Sequence, residues 1–255
     1  MDTAARKKAI FDLLHEKGTV NVTDLANKLD VSTMTVRRDL SLLAKEGIVE
    51  LQHGGAILIA GSLFEYSMGQ KGKIYLEEKK RIAQKSLKYI EDGDCVYIDA
   101  GTTTAEIARL LLDGYKKNIM VLSHSLLVAN ILAQSEDVDF VMCPGKFRHK
   151  SMAYMGQLTD SFIDNFKIDK LFLGVEGINV DDCITVPNLT DGATKRKLVE
   201  CSNKVICVVD SSKFSKDYMY KIGKTSNLDH IITDKGISSE IVDKCKKNKI
   251  MLETV

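Results

Sequence analysis

The sequence predicts a small helical module with a β-hairpin, followed by a larger α/β domain with a mostly parallel sheet. Two observations support this fold class. The first sixty residues hold three helical patterns and a glycine-centred hairpin, whereas from Gly93 onward short apolar strands alternate with helical patterns. Such alternation is typical of a parallel sheet covered on both faces. A chain of 255 residues, 44% of them hydrophobic, is long enough for two such domains.

Three helices are predicted in the N-terminal module. The first runs from Ala5 to Lys17 and is closed by Gly18. After a short extended link at 19–21, Asn21 caps the second helix. Ser32 caps the third helix, whose inward face is formed by apolar residues at helical spacing, namely Val36, Leu40 and Leu43.

The other side of the third helix is polar. Hydroxyl and guanidinium groups near a helix N-terminus suit contacts with DNA bases and phosphates, and a merely solvated helix face has the same composition. Asp39 follows Arg37 and Arg38, and we expect it to orient one of them through a salt bridge. The candidate DNA-contacting residues of this helix are Ser32, Thr33, Thr35, Arg37, Arg38 and Ser41.

A hairpin after the third helix favours the DNA-binding interpretation. Strands are predicted at 48–53 and 56–59, with Gly54 and Gly55 supplying the positive φ of the turn. Three helices followed by a hairpin form a winged helix-turn-helix, which places its recognition helix in the major groove. His53 at the wing tip fits either a phosphate contact or a solvent-exposed side chain.

Overall charge gives no support for nucleic-acid binding. The net charge is +1, and residues 1–60 carry eight basic and eight acidic side chains. DNA binding is therefore predicted from where the positive charges lie.

Two segments of the module carry a family resemblance. They are Val31-Ser-Thr-Met-Thr-Val-Arg-Arg-Asp-Leu40 and His53-Gly-Gly-Ala56. In these segments and their separation, the module resembles the DNA-binding domain of the DeoR family of bacterial transcription regulators. The resemblance implies that the module binds operator DNA. One family feature is missing, because Leu51 stands where a basic residue often precedes the wing histidine.

A segment richer in glycine and serine divides the chain. We assign residues 1–59 to the DNA-binding module, 60–73 to a linker and 74–255 to the α/β domain. A helix is predicted at 75–90, and its charged run at 77–81 fits a solvated face or a second phosphate-facing patch. Further strands are predicted at 95–99, 119–122, 138–143, 170–175, 204–209, 230–233 and 250–252, and further helices at 104–112, 126–134, 158–166, 193–201 and 239–245.

Polar clusters follow several predicted strands, where ligands bind in parallel sheets. The segment from Asp99 to Thr104 opens a helix, and its N–H groups and hydroxyls fit an anion cradle or an ordinary helix cap. Lysine and arginine at other strand ends favour an anionic ligand, while Asp99 and Glu176 suit its hydroxyls; a phosphorylated sugar satisfies both demands. The candidate effector-binding residues are Asp99, Gly101, Thr102, Thr103, Thr104, His124, Ser125, Arg148, Glu176, Lys195 and Lys213.

The α/β domain carries a second set of matching segments. They are Asp99-x-Gly-Thr-Thr, Pro144-Gly-x-x-Arg148, Gly174-x-x-Gly-Ile, Lys195-Arg196 and Asp210-Ser-Ser-Lys213. With these the domain resembles the DeoR-family sensor domain, which is similar to ribose-5-phosphate isomerases and glucosamine-phosphate deaminases. The resemblance implies a ribose-5-phosphate-isomerase-like fold and phosphate contacts from Gly101, Thr102, Thr103, Thr104 and Lys213. The family usually has Thr-Asn-Ser where this chain has Ser123-His124-Ser125, so we expect His124 to titrate or to read a different hydroxyl.

The predicted function is a DNA-binding transcriptional regulator, a repressor of a sugar-metabolism operon controlled by a phosphorylated sugar. We expect a homodimer or homotetramer, because paired recognition helices meet repeated half-sites. The alternative is a sugar-phosphate isomerase with an accessory DNA-binding domain. Isomerisation needs a carboxylate base and a second group that moves protons. The isomerases carry Asp-Gly-Ala-Asp followed by Lys-Gly-Gly-Gly, whereas Leu173 to Gly177 holds one acid, so we expect no enzymatic activity.

No metal, cofactor or membrane is expected as a partner. The six cysteines are scattered without a Cys-x-x-Cys pair, which favours reduced thiols packed as small hydrophobes. No apolar run reaches the ~18 residues that span a bilayer, and the N-terminus leads into no signal-peptide core. We therefore expect a cytoplasmic protein.

Overall fold

The computed structural model describes residues 3–59, 61, 65–112, 114 and 118–255 of the chain. The chain divides into two compact units, residues 1–66 and 67–255, and each unit is described by itself.

The first unit is a winged helix-turn-helix, as predicted. Its elements are α1 (Thr3–Lys17), β1 (Thr19–Asn21), α2 (Val22–Leu29), α3 (Thr33–Lys45), β2 (Val49–Gln52) and β3 (Gly55–Leu58). The three strands form an antiparallel sheet in the order β1-β3-β2. The stretch 19–21, which we expected to be a link, is a strand because Val20 pairs with Ala56 of the wing.

The helix boundaries of this unit follow the predicted caps. Gly18 ends α1 with a φ of 73°. The Asn21 side chain accepts the N–H of Thr23 at 2.7 Å, and the Ser32 side chain accepts that of Thr35 at 3.2 Å. The predicted inward face of α3 is confirmed, since Val36, Leu40 and Leu43 are all buried.

The two glycines of the wing have different roles. Gln52 pairs with Gly55, so the loop is His53-Gly54, and Gly54 has a φ of 78°. Our expectation that Gly55 also supplies a positive φ is wrong. A Cβ on Gly55 would lie 2.1 Å from the carbonyl oxygen of Val20, so the missing side chain lets β1 approach β3.

Asp39 is tied to α1 rather than to its neighbours on α3. Its buried carboxylate accepts hydrogen bonds from Arg6, at 2.5 Å from Nε and 3.3 Å from Nη2. Our expectation that Asp39 orients Arg37 or Arg38 is wrong, because both arginines are exposed whereas Asp39 shares the buried face. Adjacent residues of a helix do not face one another. The Arg6–Asp39 pair therefore fixes α1 against the helix that carries the exposed arginines.

The second unit is built on a seven-stranded parallel sheet. Its strands are β4 (Cys95–Ile98), β5 (Met120–Ser123), β6 (Asp139–Met142), β9 (Ile168–Leu173), β12 (Ser202–Val208), β14 (His230–Thr233) and β15 (Leu252–Thr254). Their order is β15-β14-β12-β9-β4-β5-β6, and every neighbouring pair is parallel. The predicted α/β architecture with a mostly parallel sheet is confirmed.

Helices cover this sheet, and five short strands stand outside it. The helices are α4 (Met68–Lys73), α5 (Leu76–Ser86), α6 (Thr102–Leu111), α7 (Leu126–Leu132), α8 (Gln157–Ile163), α9 (Leu189–Cys201) and α10 (Ser239–Lys247). The short strands are β7 (Lys146–Arg148) and β8 (Ala153–Met155), which form a hairpin, and β10 (Gly177–Ile178), β11 (Cys183–Val186) and β13 (Tyr220–Lys224), which form an antiparallel sheet. We did not predict these five strands.

Alternate residues of the central strands enter two apolar layers. Tyr97 packs on one face of the sheet, whereas Val96 and Ile98 pack on the other. The same alternation continues along β9, where Leu171 and Phe172 lie in opposite layers. Two covered faces leave the carboxyl edge of the sheet as the place where polar side chains collect.

Two expectations about the start of this unit need correction. Residues 68–73 of the predicted linker form helix α4, because Ser67 and Gln70 make a reciprocal capping box. Residues 60 and 62–64 of that linker lie outside the described residues. The charged run at 77–81 is not simply a solvated face, because Glu78 and Lys79 are buried.

Two further findings concern the described part of the chain. Its helices include none that is long and apolar enough to cross a membrane. The six cysteines are free thiols, four of them buried, and the described side chains include no group of three or more histidine, cysteine or acidic residues able to hold a metal ion.

We predict that Asp39→Ala destabilises the first unit. The substitution removes the buried carboxylate that pairs with Arg6, and breaking a pair of this kind costs about 2–4 kcal/mol. Hydrogen exchange followed by mass spectrometry on the full chain should show faster exchange across α1 and α3. The control is Asp24→Ala, which removes an exposed carboxylate from α2. Equal exchange in Asp39→Ala and the wild type would show that the pair contributes nothing to the unit.

Candidate functional site

The first unit presents an exposed polar surface on α3. Ser32, Thr33, Arg37 and Arg38 are exposed, while Thr35 and Ser41 are half-buried. The hydroxyls of Ser32 and Thr35 hydrogen-bond to each other at 2.9 Å, so the cap holds both at the start of the helix. Met34, with 71% of its surface exposed, lies in the same segment and was not predicted. This surface offers guanidinium, hydroxyl and apolar groups to a partner.

The wing tip is fixed to the start of α2. The N–H of Val22 donates to the carbonyl oxygen of Gly54 at 2.8 Å, and His53 beside it is exposed. A rigid helix and a rigid wing suit recognition of a DNA groove, because neither needs to be ordered on binding.

In the second unit, Asp99 lies where the strand order reverses. It follows β4, whose two neighbours in the sheet are β5 and β9, so it stands at the switch point where ligands of parallel sheets bind. Asp99 is 0% exposed. Its Oδ2 accepts the N–H of Gly174 at 2.9 Å and a hydrogen bond from the Lys195 ammonium.

Asp99 and His124 bring two unsatisfied polar atoms together. Oδ1 of Asp99 lies 3.8 Å from Nε2 of His124, and both atoms are buried without a hydrogen-bond partner. On its other side, His124 shares a hydrogen bond of 2.9 Å between Nδ1 and the Tyr97 hydroxyl. Buried polar atoms are normally hydrogen-bonded, so an unpartnered carboxylate oxygen beside an unpartnered imidazole nitrogen is unusual.

The buried charges around Asp99 fix two protonation states. Burial lowers the pKa of His124 to about 4, although the charge of Asp99 raises it in part, so the imidazole is neutral at pH 7. Burial also lowers the pKa of Lys195, but the carboxylates of Asp191 and Asp99 outweigh it and raise that pKa above its ordinary value. The site therefore holds a charged lysine and a neutral histidine.

Glu176 joins two lysines from distant parts of the chain. Its Oε2 lies 2.7 Å from Nζ of Lys213, and its Oε1 accepts a hydrogen bond from Lys71 of α4. Burial alone raises the pKa of Glu176, but the charges of Lys213 and Lys71 outweigh it and hold the pKa below its usual range. Glu176 is thus ionised and engaged by cations, whereas the sequence pattern favoured a role in binding ligand hydroxyls.

Two further lysines face the same carboxylates. Lys79 is 4% exposed and donates to the backbone carbonyl oxygen of Ile74 at 2.6 Å and to that of Lys71. Burial lowers the pKa of Lys79 to about 8 and that of Lys216 to about 8, against the charges of Asp210 and Glu176. We name Lys71, Lys79, Lys213 and Lys216 the lysine cluster.

The predicted Gly-Thr segment begins helix α6. Gly101 is the N-cap residue, so no side chain caps the first N–H groups of the helix. The hydroxyl of Thr104 donates to the carbonyl oxygen of Asp99 at 2.6 Å, which ties this segment to the end of β4. Thr102 and Thr103 lie in the first helical turn.

The remaining predicted residues are engaged elsewhere. Ser125 caps α7 by accepting the N–H of Val128 at 3.3 Å. Arg148 lies on β7 and donates to the hydroxyl of Ser151 at 2.8 Å, within the segment that joins the hairpin strands. The structure thus joins Asp99, His124 and Lys195 in one network and Glu176 with Lys213 in a second.

Sequence reasoning missed three members of the lysine cluster. Lys71 lies in the predicted linker, and Lys216 follows the predicted phosphate lysine by three positions. Lys79 lies in the charged run for which the sequence allowed a solvated face or a second phosphate-facing patch, yet it falls on the buried stripe of α5 with Ile82, Ala83 and Ser86. That spacing was the signal that could have identified it.

An exposed polar helix with a wing in one unit, and lysines gathered at the carboxyl edge of a parallel sheet in the other, are features of a DNA-binding regulator with a sensor domain. Comparison with known families gives the same result. Residues 6–61 match the DeoR-like helix-turn-helix domain, and residues 75–235 match the DeoR C terminal sensor domain. The chain belongs to the DeoR family and is a DNA-binding transcriptional regulator with a C-terminal sensor domain.

Relatives match along nearly the whole chain. The glycerol-3-phosphate regulon repressor of Escherichia coli (strain K12) is 32% identical over 99% of this chain and 99% of its own length. The HTH-type transcriptional repressor CsqR of the same organism is 30% identical over 90% of this chain and 87% of its own. These relatives are repressors, so the alternative of an isomerase with an accessory domain is not supported, and the expectation of no enzymatic activity agrees with them.

The fold also shows a partial likeness to a solved isomerase. Ribose 5-phosphate isomerase A from Methanocaldococcus jannaschii is 16% identical with a TM-score of 0.42, covering 56% of this chain. This chain spans 56% of the length of that isomerase.

We predict that His124 makes the second unit sensitive to acid. Its folded-state pKa of about 4 lies below the ordinary 6.5, so the unfolded chain binds the proton more readily. Stability from this group is complete above pH 6.5 and falls by about 3 kcal/mol as the pH approaches 4.

Urea unfolding followed by circular dichroism at pH 7, 5.5 and 4.5 measures this loss. His124→Gln should flatten the dependence, whereas the control His53→Gln, which changes an exposed histidine, should keep it. An identical pH dependence in His124→Gln and the wild type would refute the assignment.

Proposed function

We propose that this protein is a repressor of a carbohydrate operon whose affinity for its operator is controlled by a phosphorylated sugar or polyol. The observation that supports this most is the lysine cluster at the carboxyl edge of the sheet. There the ammonium groups of Lys213 and Lys71 meet the Glu176 carboxylate, with Lys79 and Lys216 nearby, and a group of cations of this kind suits an anionic ligand. The repressor relatives include one whose name refers to a glycerol-3-phosphate regulon, which fits a small phosphorylated effector.

The same edge offers two kinds of recognition. In this proposal the phosphate is held by Lys213 and by the first N–H groups of α6, at Gly101, Thr102, Thr103 and Thr104. The unsatisfied pair of Asp99 and His124 is placed to read a hydroxyl, which donates to the carboxylate and accepts from the imidazole.

At the DNA, we propose that α3 enters the major groove. Arg37 and Arg38 would contact base edges or phosphates, Ser32, Thr33, Thr35 and Ser41 would contact the backbone, and His53 would contact a phosphate from the wing. Two or more copies of the chain would bind repeated half-sites as a homodimer or homotetramer. Such a regulator would act in the cytoplasm, where a bacterial chromosome lies.

Ligand control then follows from linkage. A sugar phosphate can change operator affinity only by the difference between its own affinities for the DNA-binding form and for the released form of the protein. We propose that the ligand favours the released form and so relieves repression.

We predict that Arg37→Ala weakens operator binding. Loss of one base contact from a guanidinium costs about 1–3 kcal/mol, or roughly a tenfold to hundredfold loss of affinity. A gel-shift titration at fixed salt measures it. Lys28→Ala is the matched control, since it removes an exposed cation from α2. Unchanged affinity in Arg37→Ala would take this residue out of the interface.

We predict that Lys213→Ala abolishes the response to ligand while leaving operator binding intact. A thermal-shift screen of sugar and polyol phosphates identifies the effector, which at 100 times its Kd adds about 2.7 kcal/mol of stability. The variant should lose this stabilisation, and the DNA complex should no longer dissociate on addition of the effector. Lys224→Ala, an exposed lysine on β13, should behave as the wild type. If Lys213→Ala still releases DNA, the phosphate site lies elsewhere.

A further inference from the structure

Met34 is an apolar side chain on a polar surface. It is the second residue of α3, and 71% of its surface is exposed, more than for any other large apolar side chain that the structure describes. A single exposed apolar residue needs no explanation by itself, because folded proteins carry many of them. What distinguishes Met34 is its position on the helix, beside the residues that we propose contact DNA.

Met34 lies on the side of α3 opposite to the buried face. With about 3.6 residues per turn, the positions three, four and seven after Met34 fall on its own side of the helix. These positions are Arg37, Arg38 and Ser41, and both arginines are exposed. Val36, two positions after Met34, falls on the other side and is buried. Met34 therefore belongs to the same surface as the two arginines.

The start of α3 is held in place by its cap. The hydroxyls of Ser32 and Thr35 hydrogen-bond to each other at 2.9 Å, and the Ser32 side chain accepts the N–H of Thr35 at 3.2 Å. In a helix-turn-helix, the N-terminal residues of the recognition helix contact base edges. Met34 lies in this first turn, so it stands where a side chain meets base edges once the helix is in the groove.

The chemistry of Met34 narrows what it can contact there. A thioether makes only weak hydrogen bonds and gains free energy chiefly by leaving water against another apolar group. The base edges of the major groove present donors and acceptors, and the one apolar group among them is the C5-methyl of thymine. The neighbouring guanidinium groups suit guanine or phosphate, which leaves the methyl group to Met34.

Resting on the proposed function, we propose that Met34 reads the C5-methyl group of a thymine in each operator half-site. The contact distinguishes a T·A pair from the three other base pairs at one position, because none of the others carries a methyl group at that place. This position lies next to the bases or phosphates that Arg37 and Arg38 contact. Met34 thereby adds an uncharged, methyl-specific contribution to a surface whose other contacts are polar.

The first test uses the site that the full chain selects from a library of random-sequence duplexes. Each thymine of this site is replaced in turn by uracil, which removes only the methyl group, and affinity is measured by gel shift at fixed salt. We expect one thymine in each half-site at which the replacement lowers wild-type affinity by about fourfold, the effect of one buried methyl group. Wild-type affinity that is the same after every replacement overturns the proposal.

The second test shows whether Met34 is the residue that contacts this methyl group. Met34→Ala should bind the thymine and uracil duplexes equally, because the two changes remove the same contact. Met34→Leu keeps an apolar side chain and should retain most of the preference for thymine. The control Met251→Ala truncates an exposed methionine of the second unit and should behave as the wild type. If Met34→Ala keeps the full fourfold preference, another residue reads the methyl group and the proposal fails.

The salt dependence of binding gives an independent readout. Phosphate contacts release counterions and make affinity fall as salt rises, whereas a contact with a methyl group does not. Met34→Ala should therefore lower affinity by the same factor at every salt concentration. A changed slope of affinity against salt would mean that the substitution disturbs phosphate contacts, which contradicts a role limited to one methyl group.

Arg37→Ala separates this inference from the function on which it rests. If Arg37→Ala and Met34→Ala both bind the selected duplex with wild-type affinity, then the proposed DNA interface and the methyl contact fail together. If Arg37→Ala weakens binding while uracil has no effect on the wild type, the methyl contact alone is refuted.

Discussion

The buried contact between Lys195 and Asp99 fixes the centre of the sensor domain. It joins the middle of α9 to the end of β4, and the same carboxylate accepts the N–H of Gly174 at the end of β9. These two strands are neighbours at the switch point of the sheet. Because Gly174 is held there, the following residues carry Glu176 to the lysine cluster. Both polar networks of the site therefore depend on where Asp99 lies.

The Lys195–Asp99 contact contributes little net stability for the free energy that its burial requires. Burying two charges costs several kcal/mol per ion, and apolar side chains of similar volume often serve as well or better. What an apolar pair could not supply is a charged carboxylate with one oxygen unsatisfied. Lys195 donates to one oxygen of Asp99, while the neutral His124 approaches the other oxygen at 3.8 Å without bonding to it. The contact leaves a buried carboxylate oxygen without a hydrogen-bond partner, which a pair of apolar side chains would not do.

The sequence predicted the parallel sheet from the apolar runs of its strands. It did not predict features that depend on contacts between residues far apart in the chain. The strands of the parallel sheet are continuous apolar runs, and their positions were predicted to within a few residues. Strand β10 has two residues, and the five residues of β13 mix polar with apolar side chains, so neither gives the continuous apolar run by which the parallel strands were predicted. Asp39 and Gly55 were located correctly but interpreted locally, whereas their partners, Arg6 and Val20, are more than thirty residues away. No spacing rule identifies such partners in advance.

The lysine cluster also depends on contacts between residues that are far apart in the chain. Lys213 was predicted from a motif, but Lys71 and Lys79 precede the sheet altogether and reach its carboxyl edge only because α4 and α5 fold back onto it. One of these lysines, Lys79, also contacts the backbone of α4. The Lys79 ammonium donates hydrogen bonds to the carbonyl oxygens of Lys71 in α4 and of Ile74 at its end. The same ammonium is also one of the positive charges of the lysine cluster. Lys79 therefore connects α4 to the lysine cluster, whereas the wing and α3 are held by their own caps and core.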